Sequence, residues 1–169
     1  MADWSVSELR CGEGWLGLAP IPGRRGDYFA DFARLVRWEP SLVLTMVTEP
    51  ELRRVGAETL GEDLAALDVG WHHLPVDDLG APPPETVSRW PEVSAEAHRI
   101  FGNGGKVLAH CYGGCGRSGM VLMRLLVEAG EDADPALERL REARPCAVET
   151  EGQRAWAAIP MYERLGWSP

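Results

Sequence analysis

Lys106-Val107-Leu108-Ala109-His110-Cys111-Tyr112-Gly113-Gly114-Cys115-Gly116-Arg117-Ser118-Gly119-Met120 decides how the rest of the chain is read. A short apolar run meets a glycine-rich loop carrying a cysteine, an arginine and a serine. Val107, Leu108 and Ala109 suit a buried strand. The run from Met120 to Val127 is apolar on nearly every face, which predicts a central, fully buried helix. A loop delivered onto a helix N-terminus gathers free backbone N–H groups around one point, and the aligned peptide dipoles make that point attractive to an anion. Glycines at 113, 114 and 116 let the backbone turn inward without side-chain obstruction.

Cys111 sits at the mouth of this nest, and Arg117 closes it after five intervening residues, with Ser118 next. The field of the N–H groups and the helix N-terminus favours the thiolate, which makes Cys111 a nucleophile. The planar fork of Arg117 can hold two equatorial oxygens of a phosphate while the sulfur attacks phosphorus in line. Ser118 can donate a hydrogen bond to the sulfur and ease its departure when a phosphocysteine is hydrolysed. Tyr112, Gly113, Gly114, Cys115, Gly116 and Arg117 are therefore the expected phosphate-binding residues. A nucleotide-binding loop fits less well. It needs a lysine directly before the serine or threonine, where this chain has Arg117, and the Gly105-Lys106 pair is followed by Val107.

His110-Cys111-Tyr112-Gly113-Gly114-Cys115-Gly116-Arg117-Ser118 resembles the signature of the cysteine-based protein tyrosine and dual-specificity phosphatases, most of all the kinase-associated phosphatases. Leu16 to Gly23 resembles the start of the latter domain, and the likeness runs from about residue 14 to 165. It implies the protein tyrosine phosphatase-like α/β fold, a mainly parallel central sheet flanked by helices, and metal-free phosphate monoester hydrolysis through a phosphocysteine. Asp77-Asp78-Leu79-Gly80-Ala81-Pro82-Pro83-Pro84 places two carboxyl groups on a proline-stiffened loop after a strand, from which an acid can reach a neighbouring site. The family's general-acid pattern selects Asp78. The family also often has a glutamine where Gln153 stands, positioning the hydrolytic water. Thr150 and Gln153 equally have capping-box spacing at the head of the last helix, and both readings stay open. Glycine is common in the family where Cys146 stands, so the entry to this loop is expected to differ in shape.

The 169 residues are 45% apolar, enough for a substantial core, and no linker divides 1–169, so one domain is expected. A net charge of −9 argues against nucleic acid or an anionic membrane surface as partner. No apolar stretch reaches spanning length, and the first eight residues lack the basic and apolar regions of a signal peptide, so a cytoplasmic location is expected. The resemblance implies a phosphorylated protein or small phosphate ester as substrate, and a monomer is expected. Cysteines 11, 111, 115 and 146 have neither Cys-x-x-Cys spacing nor the density of a disulfide scaffold, which predicts reduced thiols. His72 and His73 are strand neighbours pointing to opposite faces, so no zinc site is expected, and no cofactor.

Around this centre the chain alternates. Residues 14 to 23 read as an early strand at a sheet edge, followed by a solvated turn at Arg24-Arg25. A helix is predicted over 27–38, a buried strand over 41–47, a helix start at Thr48-Glu49-Pro50-Glu51, a covering helix over 59–67 and a strand over 71–76. A helix follows from about Ser88 to Phe101, with Pro91 in its first turn. Asp134-Pro135 opens the next, which turns Ala136, Leu137 and Leu140 inward, and a last helix carries Trp156, Ile159 and Leu165 with a bend at Pro160. Three rival functions remain: a sulfurtransferase, an inositol or lipid phosphatase, and a phospho-binding module without catalysis. The five-residue spacing to Arg117 and the Asp78 loop argue against the first, the lack of extra loop cations against the second, and the presence of nucleophile, clamp and acid candidates against the third.

Overall fold

The computed structural model describes residues 3–159. Five strands form one sheet in the order β1-β2-β5-β3-β4, with β1 (Ser7–Cys11), β2 (Gly14–Ala19), β3 (Leu42–Thr45), β4 (Gly70–His73) and β5 (Lys106–His110). β2, β5, β3 and β4 run parallel, while β1 pairs antiparallel with β2. The sheet is thus mainly parallel, as the family likeness implies. β5 lies at its middle, with Val107 opposite both Leu16 and Leu42, and His110 opposite Ala19 and Thr45. The site is carried on the most constrained strand, at the carboxyl edge where ligands of open α/β sheets bind.

Helices α1 (Tyr28–Arg37), α2 (Glu49–Arg54), α3 (Leu60–Ala65), α4 (Pro84–Gly102), α5 (Gly116–Glu128), α6 (Ala133–Ala143) and α7 (Glu151–Ala157) flank the sheet. Every residue of α5 is buried, and Leu122, Met123, Leu125 and Leu126 are wholly so. At roughly 1.5–3 kcal/mol for each such side chain, this packing anchors the helix whose first turn meets the glycine-rich loop. Further along α5, Arg124 and Glu128 are paired to each other, Arg124 Nε donating to Glu128 Oε1 at 2.7 Å. Glu128 also accepts from Trp90 Nε1 at 2.9 Å and from the Ser94 hydroxyl, which ties α4 to α5.

Three local expectations change. The early strand is not the sheet edge, because Ser7–Cys11 folds back along it as a hairpin through Gly12, which takes φ +57. α4 begins at Pro84, where a missing N–H costs nothing, so Pro91 lies inside the helix instead of in its first turn. α6 has Asp132 at its N-cap position, two residues before the predicted opening. Pro160 and Leu165 lie outside the described residues. Among those described, no helix is long and apolar enough to cross a membrane.

Candidate active site

The loop between β5 and α5 is held from outside by its carbonyls. Ile21 N–H donates to Tyr112 O at 3.2 Å. Arg144 donates twice, from Nη2 to Gly113 O at 2.9 Å and from Nε to Gly114 O at 3.0 Å. In a trans peptide the N–H points opposite to the C=O. Turning these three carbonyls outward therefore turns the N–H groups of Gly113, Gly114 and Cys115 toward the loop's interior, and among the described residues none of the three has a protein partner. Gly114 has φ +71, and a Cβ there would lie 2.6 Å from the Ala19 carbonyl carbon, so no other residue fits. The Gly116 N–H is engaged differently, donating to Glu149 Oε1 at 2.9 Å.

Cys111 is 3% exposed, and its Sγ lies 3.2 Å from Ser118 Oγ. Behind it runs a directed chain of hydrogen bonds. His110 Nδ1 lies 3.3 Å from the Cys111 carbonyl, which can only accept, so Nδ1 carries the proton. Nε2 then accepts from Thr45 Oγ1 at 2.7 Å, and Thr45 in turn accepts from Trp71 Nε1 at 2.8 Å. Burial is the main cause that pushes His110 down to about 4, so the ring is neutral near pH 7. It acts as a fixed strut under the nucleophile's backbone.

Arg117 is 2% exposed and fully organised. Glu51 meets it at two points, Nη2 donating to Oε1 at 2.8 Å and Nη1 to Oε2 at 2.9 Å, while Nη1 also donates to Val76 O at 2.9 Å. Glu51 is aimed by α2, since Thr48 donates to its Oε2 from both N–H and hydroxyl, at 2.8 and 3.0 Å. Burial pushes the Glu51 carboxyl up, but the bonds from Arg117 and Thr48 outweigh it and leave the carboxyl below its ordinary range. Burial works against the Arg117 charge too. Bonding to Glu51 and the nearby Cys111 and Asp78 overcome it and raise the guanidinium above its ordinary value. From the sequence, 48–51 reads only as a helix start. The available signal was a capping-box glutamate placed just past a central strand.

Asp78 has an exposed side chain with Oδ1 3.4 Å from Arg117 Nη2, and it also accepts from the Leu79 N–H at 3.0 Å. Asp77 is likewise exposed, and no ion pair joins it to Arg117 among the described residues. The loop that follows is latched to the head of α7. Gln153, wholly buried, donates from Nε2 to Gly80 O at 3.2 Å and accepts at Oε1 from the N–H groups of Glu149 and Thr150. Thr150 Oγ1 accepts from Gln153 N–H and donates to Leu79 O at 3.3 Å. The capping box is therefore formed, and it also grips the residues immediately after Asp78.

The expectation of reduced thiols is overturned, because Cys115 is joined to Cys146 in a disulfide, their Cα atoms 5.1 Å apart. The cause is tertiary: Arg144 and Val148, whose N–H reaches Cys115 O at 3.4 Å, press the 144–149 segment against the glycine-rich loop. Cys111 and Cys11 remain free, and burial pushes the Cys11 thiol up to about 11. His72 Nε2 pairs with Glu96 at 2.6 Å, His73 Nε2 meets Val47 O at 2.7 Å, and no metal-ligating cluster occurs among the described residues.

Residues 31–131 match the family described as "polymorphic toxin system, DSP-PTPase phosphatase", and the chain belongs to this family of cysteine-dependent dual-specificity and tyrosine phosphatases. Cyclin-dependent kinase inhibitor 3 of Rattus norvegicus is 30% identical over 170 residues, covering 95% of this chain and 74% of that protein. A probable protein tyrosine phosphatase type IVA A of Dictyostelium discoideum is 30% identical over 83 residues, 49% of each chain. Among solved structures, a kinase-associated phosphatase whose catalytic-site cysteine is replaced by serine shares the fold with a TM-score of 0.82 at 23% identity, over 100% of this chain and 99% of that one. The active form of Tk-PTP gives a TM-score of 0.69 at 27% identity, over 90% of this chain and 92% of that one. These relatives favour a protein phosphatase over a sulfurtransferase or a phosphatase of inositol phosphates or lipids.

Proposed function

We propose that this phosphatase hydrolyses phosphorylated protein with Cys111 as nucleophile, Arg117 and the N–H groups of residues 113–115 as the phosphate cradle, Asp78 as general acid and Ser118 as the hydroxyl that serves the leaving thiolate. The observation that carries the assignment is the convergence on one loop of a free thiol at 3.2 Å from a hydroxyl and a guanidinium whose Nη1–Nη2 edge is already occupied by Glu51. That occupancy leaves the Nε–Nη2 edge to face two oxygens of a phosphoryl group.

In the first step the Cys111 thiolate forms the S–P bond as the P–O bond to the substrate breaks, and Asp78 gives its proton to the departing oxygen. In the second, water attacks phosphorus, the Asp78 carboxylate takes the water's proton, and the S–P bond breaks to return the thiolate and release inorganic phosphate. Ser118 O–H donates to sulfur as its charge returns. The N–H groups of Gly113, Gly114 and Cys115 stabilise the equatorial oxygens throughout. Gln153 is assigned a positioning role, since both of its polar atoms are committed to the cap and to the carbonyl of Gly80.

Purified protein should release phosphate from a phosphopeptide with chelator present, be blocked by vanadate, and lose turnover in Cys111→Ser. Chelator-sensitive turnover, or full activity in the variant, overturns the assignment.

A further inference from the structure

Two arginines stand beside the phosphate loop without a carboxylate partner among the described residues. The Arg24 guanidinium lies 5.4 Å from the ring centre of Tyr112, and that of Arg54 lies 5.9 Å from the same ring. Tyr112 directly follows Cys111. The turn carrying Arg24 is tied to the loop by the Ile21 N–H bond to Tyr112 O, and Arg24 Nη1 comes within 3.4 Å of where a Cβ on Gly113 would stand. Arg54 belongs to α2, one turn beyond the Glu51 that holds Arg117. Both arginines are exposed, and among the described residues neither pairs with a carboxylate, although the chain carries 26 acidic residues against 17 basic ones. By contrast the neighbouring Arg53 is paired to Glu49. Contact with one tyrosine ring restricts two otherwise mobile side chains, so each guanidinium keeps its donors while losing rotamer freedom in advance of binding.

We propose that Arg24 and Arg54 form a second anion subsite beside the phosphate loop, one that takes an acidic side chain or a second phosphate on the polypeptide next to the phosphorylated residue. The inference rests on the phosphoprotein reading above and adds a substrate preference to it. An unpaired guanidinium in a net-negative protein repels flanking basic residues in a substrate as well as attracting acidic ones, so it contributes to discrimination on both sides.

Three phosphotyrosine peptides of one sequence test this, with the residues flanking the phosphotyrosine set to glutamine, to glutamate, or to one phosphoserine. For the wild type, kcat/KM should be about ten-fold higher on the glutamate and phosphoserine peptides than on the glutamine peptide. The ratio should fall toward one in the Arg24→Ala/Arg54→Ala double variant and in high salt, and keep its wild-type value in Arg53→Ala. If only the phosphoserine peptide gains, the subsite takes phosphate; if both gain, it takes anions generally, and either result supports it. Equal rates on all three peptides, or a ratio that survives the double variant, overturn the subsite alone, and an equal loss in Arg53→Ala reduces it to the long-range field. A wild type that hydrolyses none of the peptides overturns the phosphoprotein reading as well. Faster, Arg24- and Arg54-dependent release of phosphate from phosphoinositide vesicles than from any peptide would reassign the two arginines to a lipid headgroup.

Discussion

Glu51 holds Arg117 at two points, with Nη–Oε distances of 2.8 and 2.9 Å, across 66 residues of chain. The pair fixes which edge of the guanidinium is spent on the protein and which is offered to the substrate. Glu51→Gln keeps the shape but removes the charge and one acceptor. Since a bond to a charged group is worth roughly 1.5–3 kcal/mol, kcat/KM on a phosphopeptide should fall about ten- to one-hundred-fold. Arg117→Lys should be more severe, because an ammonium cannot serve Glu51 and a phosphoryl edge at once. Unchanged kinetics in Glu51→Gln would show that the fork orients itself without its carboxylate.

The acid can be identified by leaving group. A serine or alkyl alkoxide needs its proton as the P–O bond breaks, whereas a nitrophenolate leaves with little help. Asp78→Asn should lower kcat roughly 100-fold or more on a phosphopeptide and much less on a nitrophenyl ester, and Asp77→Asn should do little on either. Because Gln153 and Thr150 grip the carbonyls of Gly80 and Leu79, Gln153→Ala should reproduce the leaving-group pattern of Asp78→Asn in weaker form. Accumulation of phosphoenzyme in Gln153→Ala, with no leaving-group dependence, would instead make Gln153 the residue that positions water.

The Cys115–Cys146 bond closes a loop of 31 residues that contains all of α5 and α6. Chain-entropy arguments for a loop of this size give roughly 3.7 kcal/mol. Thiol reductant should lower the denaturant midpoint of the wild type accordingly, and Cys146→Ser should match the reduced wild type and no longer respond to reductant. A wild-type midpoint that ignores reductant would count against the bond.

Glu128 sets an acid limit to stability. Burial alone would raise its carboxyl, but bonds from His98, Ser94, Trp90 and Arg124 outweigh burial and lower it from 4.5 to about 2. A depressed carboxyl contributes stability that is fully present above its unfolded value and lost as pH falls through the folded one. The loss belongs between about pH 4.5 and about 2. Glu128→Gln should lower the unfolding free energy at pH 7, since it removes the charge that four side chains bond, and should flatten its fall across that window. An equally steep fall in the variant would assign acid unfolding to other carboxylates.

What could be read in the sequence is what is contiguous in it. β5, the loop and α5 lie within 23 residues from Lys106 to Glu128, and the strand, glycine and apolar-run signals there agree with one another. The Thr150–Gln153 cap was legible for the same reason, while its grip on Leu79 and Gly80 was not, because the acid loop lies more than 70 residues away. β1 was missed because Ser-Glu-Leu-Arg-Cys alternates polar and apolar residues over a single short run, and only its pairing with β2 makes it a strand. Glu51, Cys146 and Arg24 share one difficulty. Each has a sound local account, as a cap, a turn residue and a surface cation, and each acquires its place at the site only when the sheet brings distant loops to one edge.

The central claim, that Cys111 is the nucleophile, is tested most directly by acid-quenching the wild type during turnover of a phosphopeptide and mapping the phosphate retained on the protein. The account predicts a phosphocysteine at Cys111, formed with chelator present and absent in Cys111→Ser. Phosphate on any other residue, or turnover that continues in Cys111→Ser, would contradict it.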